Sequence, residues 1–125
     1  MKTITHKIAL ILFLLISIPA ILSSCSKEAD TIGIIKVVFS NGNPMRAAIV
    51  TLDQTNGSPG TDPIENLRKT ATTDANGRAE FTYRYEAILD VSVSKTAGNN
   101  TYSGTNVLRL LRGETTILVV EAVVQ

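Results

Sequence analysis

From Thr31 onward the apolar residues of this chain return every second position. In residues 78–85, Ala79, Phe81, Tyr83 and Tyr85 share one parity, and Arg78, Glu80, Thr82 and Arg84 share the other. Successive side chains of a strand point to opposite faces, so this spacing sets one side against a core and the other against water. Leu89, Val91 and Val93 repeat it against Asp90, Ser92 and Ser94, as do Ala48, Val50 and Leu52. No stretch after Thr31 carries a helical period, which makes the domain all-β. Turn chemistry punctuates it at Ser40–Pro44, at Asp74-Ala75-Asn76-Gly77, at Ala97-Gly98-Asn99-Asn100 and at Arg112-Gly113-Glu114. Strands are expected at 34–39, 48–52, 68–73, 78–85, 89–93, 106–111 and 116–124. Short strands at roughly ten-residue spacing predict a seven-stranded antiparallel Greek-key β-sandwich over residues 32–125.

The N-terminus reads differently. A basic stretch from Lys2 to Lys7 precedes an apolar run from Ile8 to Leu22, broken only by Ser17 and Pro19. That order belongs to a secretory signal peptide. At 1.5 Å per residue the run reaches roughly 22 Å, short of the roughly 30 Å hydrocarbon core that a spanning helix must cross. The run ends in Leu22-Ser23-Ser24-Cys25, which resembles the bacterial lipobox. The resemblance implies cleavage after residue 24 and a diacylglycerol thioether on Cys25. Cys25 is also the sole cysteine, so no intramolecular disulfide competes for it. The expected organisation is a signal peptide at 1–24, a lipidated cysteine and tether at 25–31, and the sandwich at 32–125. Ser26-Lys27-Glu28-Ala29-Asp30 is similar to the acidic export signal of Bacteroidetes surface lipoproteins, and Asp30-Thr31-Ile32 to an O-glycosylation site of that phylum. The export-signal resemblance implies an outer-membrane, surface-exposed address, with the membrane held through the lipid.

Composition narrows the chemistry. Without residues 1–24, Lys plus Arg falls from 12 to 10 through loss of Lys2 and Lys7, while Asp plus Glu stays at 11. A near-neutral domain has no electrostatic case for nucleic acid. It also has no histidine and no tryptophan behind Cys25. Zinc, copper and haem sites depend on His or Cys ligands, and Ser-His or Cys-His triads need an imidazole. No metal, cofactor or catalytic residue is therefore expected. The reading is a non-catalytic binding, structural or accessory module, with an outer-membrane protein or an extracellular ligand as partner. A carboxylate-dependent enzyme or an enzyme inhibitor is the alternative.

Three segments carry a family resemblance: Gly42-Asn43-Pro44, Ala47 to Leu52, and Thr73-Asp74-Ala75-Asn76-Gly77-Arg78-Ala79-Glu80-Phe81. With the Gly113-Glu114-Thr115 turn into the last strand, they resemble the carboxypeptidase-regulatory-like, or transthyretin-like, β-sandwich. Ig-like adhesin repeats share the Thr-Asp-x-x-Gly turn. The chain departs from the pattern at Ile88-Leu89-Asp90-Val91, where the family opens its strand with glycine and tyrosine. The resemblance does not bring hydroxyisourate hydrolysis, which rests on histidines. Nor does it bring the Lys-to-Asn crosslink of collagen adhesins, because Lys36 has only Glu121, and no Asn or Asp, in the last strand.

Among individual residues, Asp74 and Asn76 are read as closing their own turn rather than holding Ca²⁺, which needs six to eight oxygens. Phe81, Tyr83 and Tyr85 share parity with Ala79 and are read as core rather than as an aromatic platform for glycan, which the missing tryptophan also disfavours. Tyr102, in a polar context, is the candidate exposed aromatic contact. Asn56 and Asp62, in the long 54–67 loop, are the other candidate partner contacts, since loops on rigid scaffolds carry binding.

Overall fold

Seven strands that alternate up and down leave the first and the last running the same way. The computed structural model describes residues 3–9, 27–54 and 67–125. Residues 3–9 are helical, and no helix among the described residues is long and apolar enough to cross a membrane. The strands are β1 (Thr31–Phe39), β2 (Ile49–Asp53), β3 (Lys69–Thr72), β4 (Arg78–Tyr83), β5 (Ala87–Ala97), β6 (Asn100–Leu110) and β7 (Thr115–Val124). They form one sheet in the order β3-β2-β5-β6-β7-β1-β4. Wherever an odd-numbered strand neighbours an even-numbered one, the pair is antiparallel. The β1–β7 pair, from Ile32↔Thr115 to Phe39↔Ala122, is parallel. The domain is all-β, and the expectation of a wholly antiparallel arrangement is corrected at this one pair.

β4-β1-β7 and β3-β2-β5-β6 face each other across the core, joined where Tyr102 and Ser103 pair with Val124 and Val123. The alternation seen in the sequence supplies this core. Ile35, Val37, Val50, Leu52, Leu89 and Leu108 are fully buried, with Phe81 and Tyr83 beside them. Gly33 lets the layers approach, since a Cβ there would lie 2.8 Å from a Leu108 methyl.

A second network ties the connections to the strands. The Thr73 hydroxyl, 4% exposed, donates to the Met45 carbonyl at 2.6 Å and accepts from the Ala48 amide at 2.9 Å. The Thr73 backbone pairs with the same segment, through Ala47 N–H at 3.0 Å and Ala48 C=O at 2.9 Å. These bonds hold Ala47 at φ 57 and fix Met45, fully buried, in the core. Asp74 then closes the turn, its Oδ1 accepting from Asn76 N–H at 2.8 Å and Arg78 N–H at 3.0 Å. Gly77 adopts φ 73, and a Cβ there would lie 2.5 Å from the Val37 carbonyl. The Thr-Asp-x-x-Gly pattern is thus a clasp joining β1, β4 and the 45–48 segment.

Several bounds differ from the sequence reading: β1 begins at Thr31, assigned to the tether but fully buried, rather than at residue 34, and β5 begins at Ala87 rather than residue 89. β5 and β6 run to a two-residue turn at Gly98-Asn99, with Gly98 at φ 62, where the sequence predicts a loop at Ala97–Asn100 and a strand only from Asn106. The hairpin tip is exposed on both faces, so residues 96–101 need no apolar alternation to be strands. At the other end β4 stops at Tyr83. Tyr85 lies in the bend after it and is 57% exposed, so it leaves the core to which its parity assigned it.

Replacing Thr73 by valine keeps the shape and leaves a buried carbonyl and a buried amide unpaired. Thr73→Val is expected to destabilise the domain by about 2–3 kcal/mol, an unmet buried group costing roughly 1–3. Urea denaturation with an unchanged m-value checks this. The Asp74 carboxyl is held below its usual range, first by the Arg78 N–H, then by the Asn76 N–H and the Arg78 charge. A lowered folded pKa adds stability above the unfolded value of 3.8, lost as pH falls through the folded one. The melting-temperature gap between wild type and Asp74→Ala should therefore be widest near neutral pH and shrink below about pH 4.

Candidate functional site

The sheet almost closes on itself, and the place where it does not is a groove. β3 and β4 are the two ends of the strand order and lie against each other without a backbone ladder. Side chains span the seam instead. Lys69 Nζ donates to the Thr82 carbonyl, and the Tyr83 hydroxyl donates to the Leu67 carbonyl at 2.9 Å. Lys69 Nζ also sits 4.5 Å from the centre of the Tyr83 ring, within cation–π range.

A cavity of about 500 Å³ opens here, lined by Asp30, Leu67, Lys69, Thr82, Tyr83, Arg84 and Tyr85. A smaller one, lined by Lys27, Glu28, Ala29, Asp30 and Arg84, continues it along the chain that leads into β1. Asp30 and Arg84 belong to both, so the two form one groove. Its rim is held on the far side of Tyr85. Arg112 lies 5.4 Å over that ring and its Nε donates to Glu86 Oε2 at 2.9 Å. The Glu86 carboxyl is lowered by its own backbone N–H and then by Arg112. Both partners are more than half exposed, so the pair positions Arg112 more than it stabilises the fold.

The seam cavity combines an aromatic and apolar floor with two cations, Lys69 and Arg84, and one carboxylate, Asp30, and its continuation adds Lys27 and Glu28. Among the described residues neither Lys69 nor Arg84 forms an ion pair; the two pairs present join Arg68 to Asp53 and Arg112 to Glu86. No three His, Cys, Asp or Glu residues gather as a metal site among the described residues. Such a groove can hold a small anion that also carries an apolar face.

The residues singled out from the sequence scatter around this site. Cys25, Asn56 and Asp62 lie outside the described residues. Tyr102 is not an exposed contact. It sits in β6 opposite Lys95, half-buried, with its ring 5.3 Å from that of Phe39 at 83°. It seals the far end of the core, because β6 begins six residues earlier than its composition suggests. Asp74 and Asn76 close their turn as expected. Tyr83 is core, as expected, though its edge reaches the groove. Sequence reasoning does not gather Lys69, Arg84 and Tyr85 as a group. Arg84-Tyr85-Glu86 is charged and aromatic just where alternation stops, which is the signal that could have marked it.

No protein-family profile matches the chain, and no curated protein does. Solved structures do. The Bacillus anthracis TIE protein shares 16% identity at a TM-score of 0.56, over 75% of this chain and 16% of that one. The 3-chlorocatechol 1,2-dioxygenase of Rhodococcus opacus 1CP shares 16% identity at a TM-score of 0.48, over 79% of this chain and 62% of that one. This chain therefore spans about a sixth of the first and less than two thirds of the second. At these identities the first likeness shows the fold alone, and the second adds nothing to it.

Burial raises the Tyr83 phenol to about 12, with the Asp53 charge adding to it. A phenol whose folded pKa is raised stabilises fully below its unfolded value of 10.0, and that stability is lost as pH rises to about 12. In an alkaline absorbance titration one of the three tyrosines should ionise near pH 12, and Tyr83→Phe should remove that late step. The same variant loses the bond to Leu67 and should cost about 1 kcal/mol at neutral pH.

Proposed function

We propose that this chain is an outer-membrane lipoprotein, anchored through Cys25, whose β-sandwich is a non-catalytic binding or accessory module. The observation that carries this reading is a distance along the chain. β1 begins at Thr31, six residues past the lipobox cysteine, and residues 27–30 lie against the groove end of the domain. Six residues reach at most roughly 20 Å at about 3.4 Å each. An anchored domain would therefore stand close to the bilayer with one end fixed toward it. Residues 27–30, the bend at 84–86 and the turn at 111–114 share that end: Thr31 pairs with Tyr83, the Gly113 N–H donates to Thr31 Oγ1 at 2.9 Å, and Arg112 bonds Glu86. The Asn43 and Asn76 turns and the Gly98 hairpin occupy the opposite end.

The strand path supports the transthyretin-like, carboxypeptidase-regulatory-like kind of Greek-key sandwich. β4 returns past two strands to pair with β1, and β5 returns to pair with β2. The Thr73–Gly77 clasp gives a structural use to the motif that carries the resemblance. The absence of histidine after His6 favours binding over catalysis.

Protease treatment of intact cells, with Cys25→Ser beside wild type, tests the address. The wild-type domain should fractionate with the outer membrane and be shaved from intact cells, while Cys25→Ser should leave the membrane fraction. A wild-type chain found in the soluble fraction would end the anchor reading. One that is digested only after lysis would end the surface reading and leave the domain facing the periplasm.

A further inference from the structure

We infer that the groove at the β3–β4 seam binds an acidic saccharide unit: a sugar ring bearing a carboxylate. This deepens the proposed binding function by naming a ligand class, and it does not depend on which compartment the domain faces.

Four features of the groove select that chemistry. Its volume, about 500 Å³, falls within the range of roughly 300–1,000 Å³ typical of small-molecule sites. Lys69 and Arg84 present two positive charges on its wall that no carboxylate among the described residues pairs with. Tyr85 presents a ring, 57% exposed and backed at 5.4 Å by Arg112, against which an apolar ring face can lie. Asp30 completes the lining with an acceptor. A carboxylate acceptor beside two cations suits a ligand that carries both a carboxylate and hydroxyls. The Lys69 and Arg84 cations take the acid, and Asp30 takes hydroxyl hydrogens.

An acidic peptide fits less well, for two reasons on the same wall. An extended peptide adding to β4 would need its seam-facing backbone groups, and the Thr82 carbonyl is already taken by Lys69 Nζ. A run of acidic side chains would also set further carboxylates against Asp30. One acid per ring, spaced by hydroxyls, avoids both conflicts.

The full-length lipoprotein in neutral detergent micelles can be titrated with trigalacturonate. The readout is tyrosine fluorescence, which is unobscured because the chain has no tryptophan. Saturable quenching that weakens as salt is raised is expected. Arg84→Gln and Tyr85→Ala should each weaken binding at least tenfold, and Tyr102→Phe, at the far end, should leave it unchanged. The methyl ester of trigalacturonate, which keeps the rings and loses the charge, should bind at least tenfold more weakly. Absence of saturable binding overturns the proposal. So does equal binding of the ester, or an Arg84→Gln variant that is folded by circular dichroism and binds as wild type does. Triglutamate binding as tightly as trigalacturonate would overturn it too, by reassigning the groove to acidic peptides. Each of these failures would leave the anchored address untouched, since shaving and fractionation read that separately.

Discussion

One hydroxyl holds this fold to its shape. The Thr73 Oγ1 is buried, donates to the Met45 carbonyl and accepts from the Ala48 amide, two polar groups of a segment that has no strand of its own. Without it the 45–48 connection would carry an unpaired carbonyl and amide inside the core, leaving Met45 held there by its N–H bond to Val37 alone. The next four residues extend the same joint. Asp74 closes the turn, and Gly77 brings its carbonyl to Val37 N–H at 2.7 Å, where no side chain could fit. The clasp thereby extends the β1–β4 ladder by one bond, and β4 is the strand whose end builds the groove.

Closure of the sheet is governed by parity and by one missing ladder. Seven alternating strands bring β1 and β7 together in the same sense, and that parallel pair joins the first strand to the last. The remaining ends of the strand order, β3 and β4, meet without backbone bonds, and Lys69 and Tyr83 span the gap. A buried phenol and a lysine stem over its ring are a looser closure than a ladder. They leave room for a cavity that a fully bonded barrel would fill with side chains.

Much of this was legible in the sequence, because burial on one face writes a period of two into every strand that has a solvent side. Residues 48–52, 78–83 and 89–93 could be assigned by parity alone. Alternation fails as a guide where no core lies beneath the strand. Residues 96–101 are strand and turn without an apolar face, since the β5–β6 hairpin tip is exposed on both sides, and Tyr102 is the one large apolar side chain between that tip and Val107. Tyr85 shows the reverse error: its parity continued past the end of the strand that gave parity a meaning. The groove was not legible at all. Lys69, Arg84 and Asp30 are far apart in sequence, and only the β1–β4 register and the unladdered seam bring them together.

The position of the groove constrains what could reach it. On the proposed anchoring, Cys25 lies five residues before Asp30, which itself lines the groove, so the site would sit within roughly 20 Å of the bilayer. A long, stiff polymer lying across that gap would have to displace the tether or the lipid headgroups. A chain end or a short oligomer would enter from the side. The opposite end of the domain, with its asparagine- and glycine-bearing turns, would stay clear for a macromolecular partner. The two ends therefore suit different ligands. Small acidic molecules would meet the seam beside the membrane, and larger surfaces would meet the turns that point away from it.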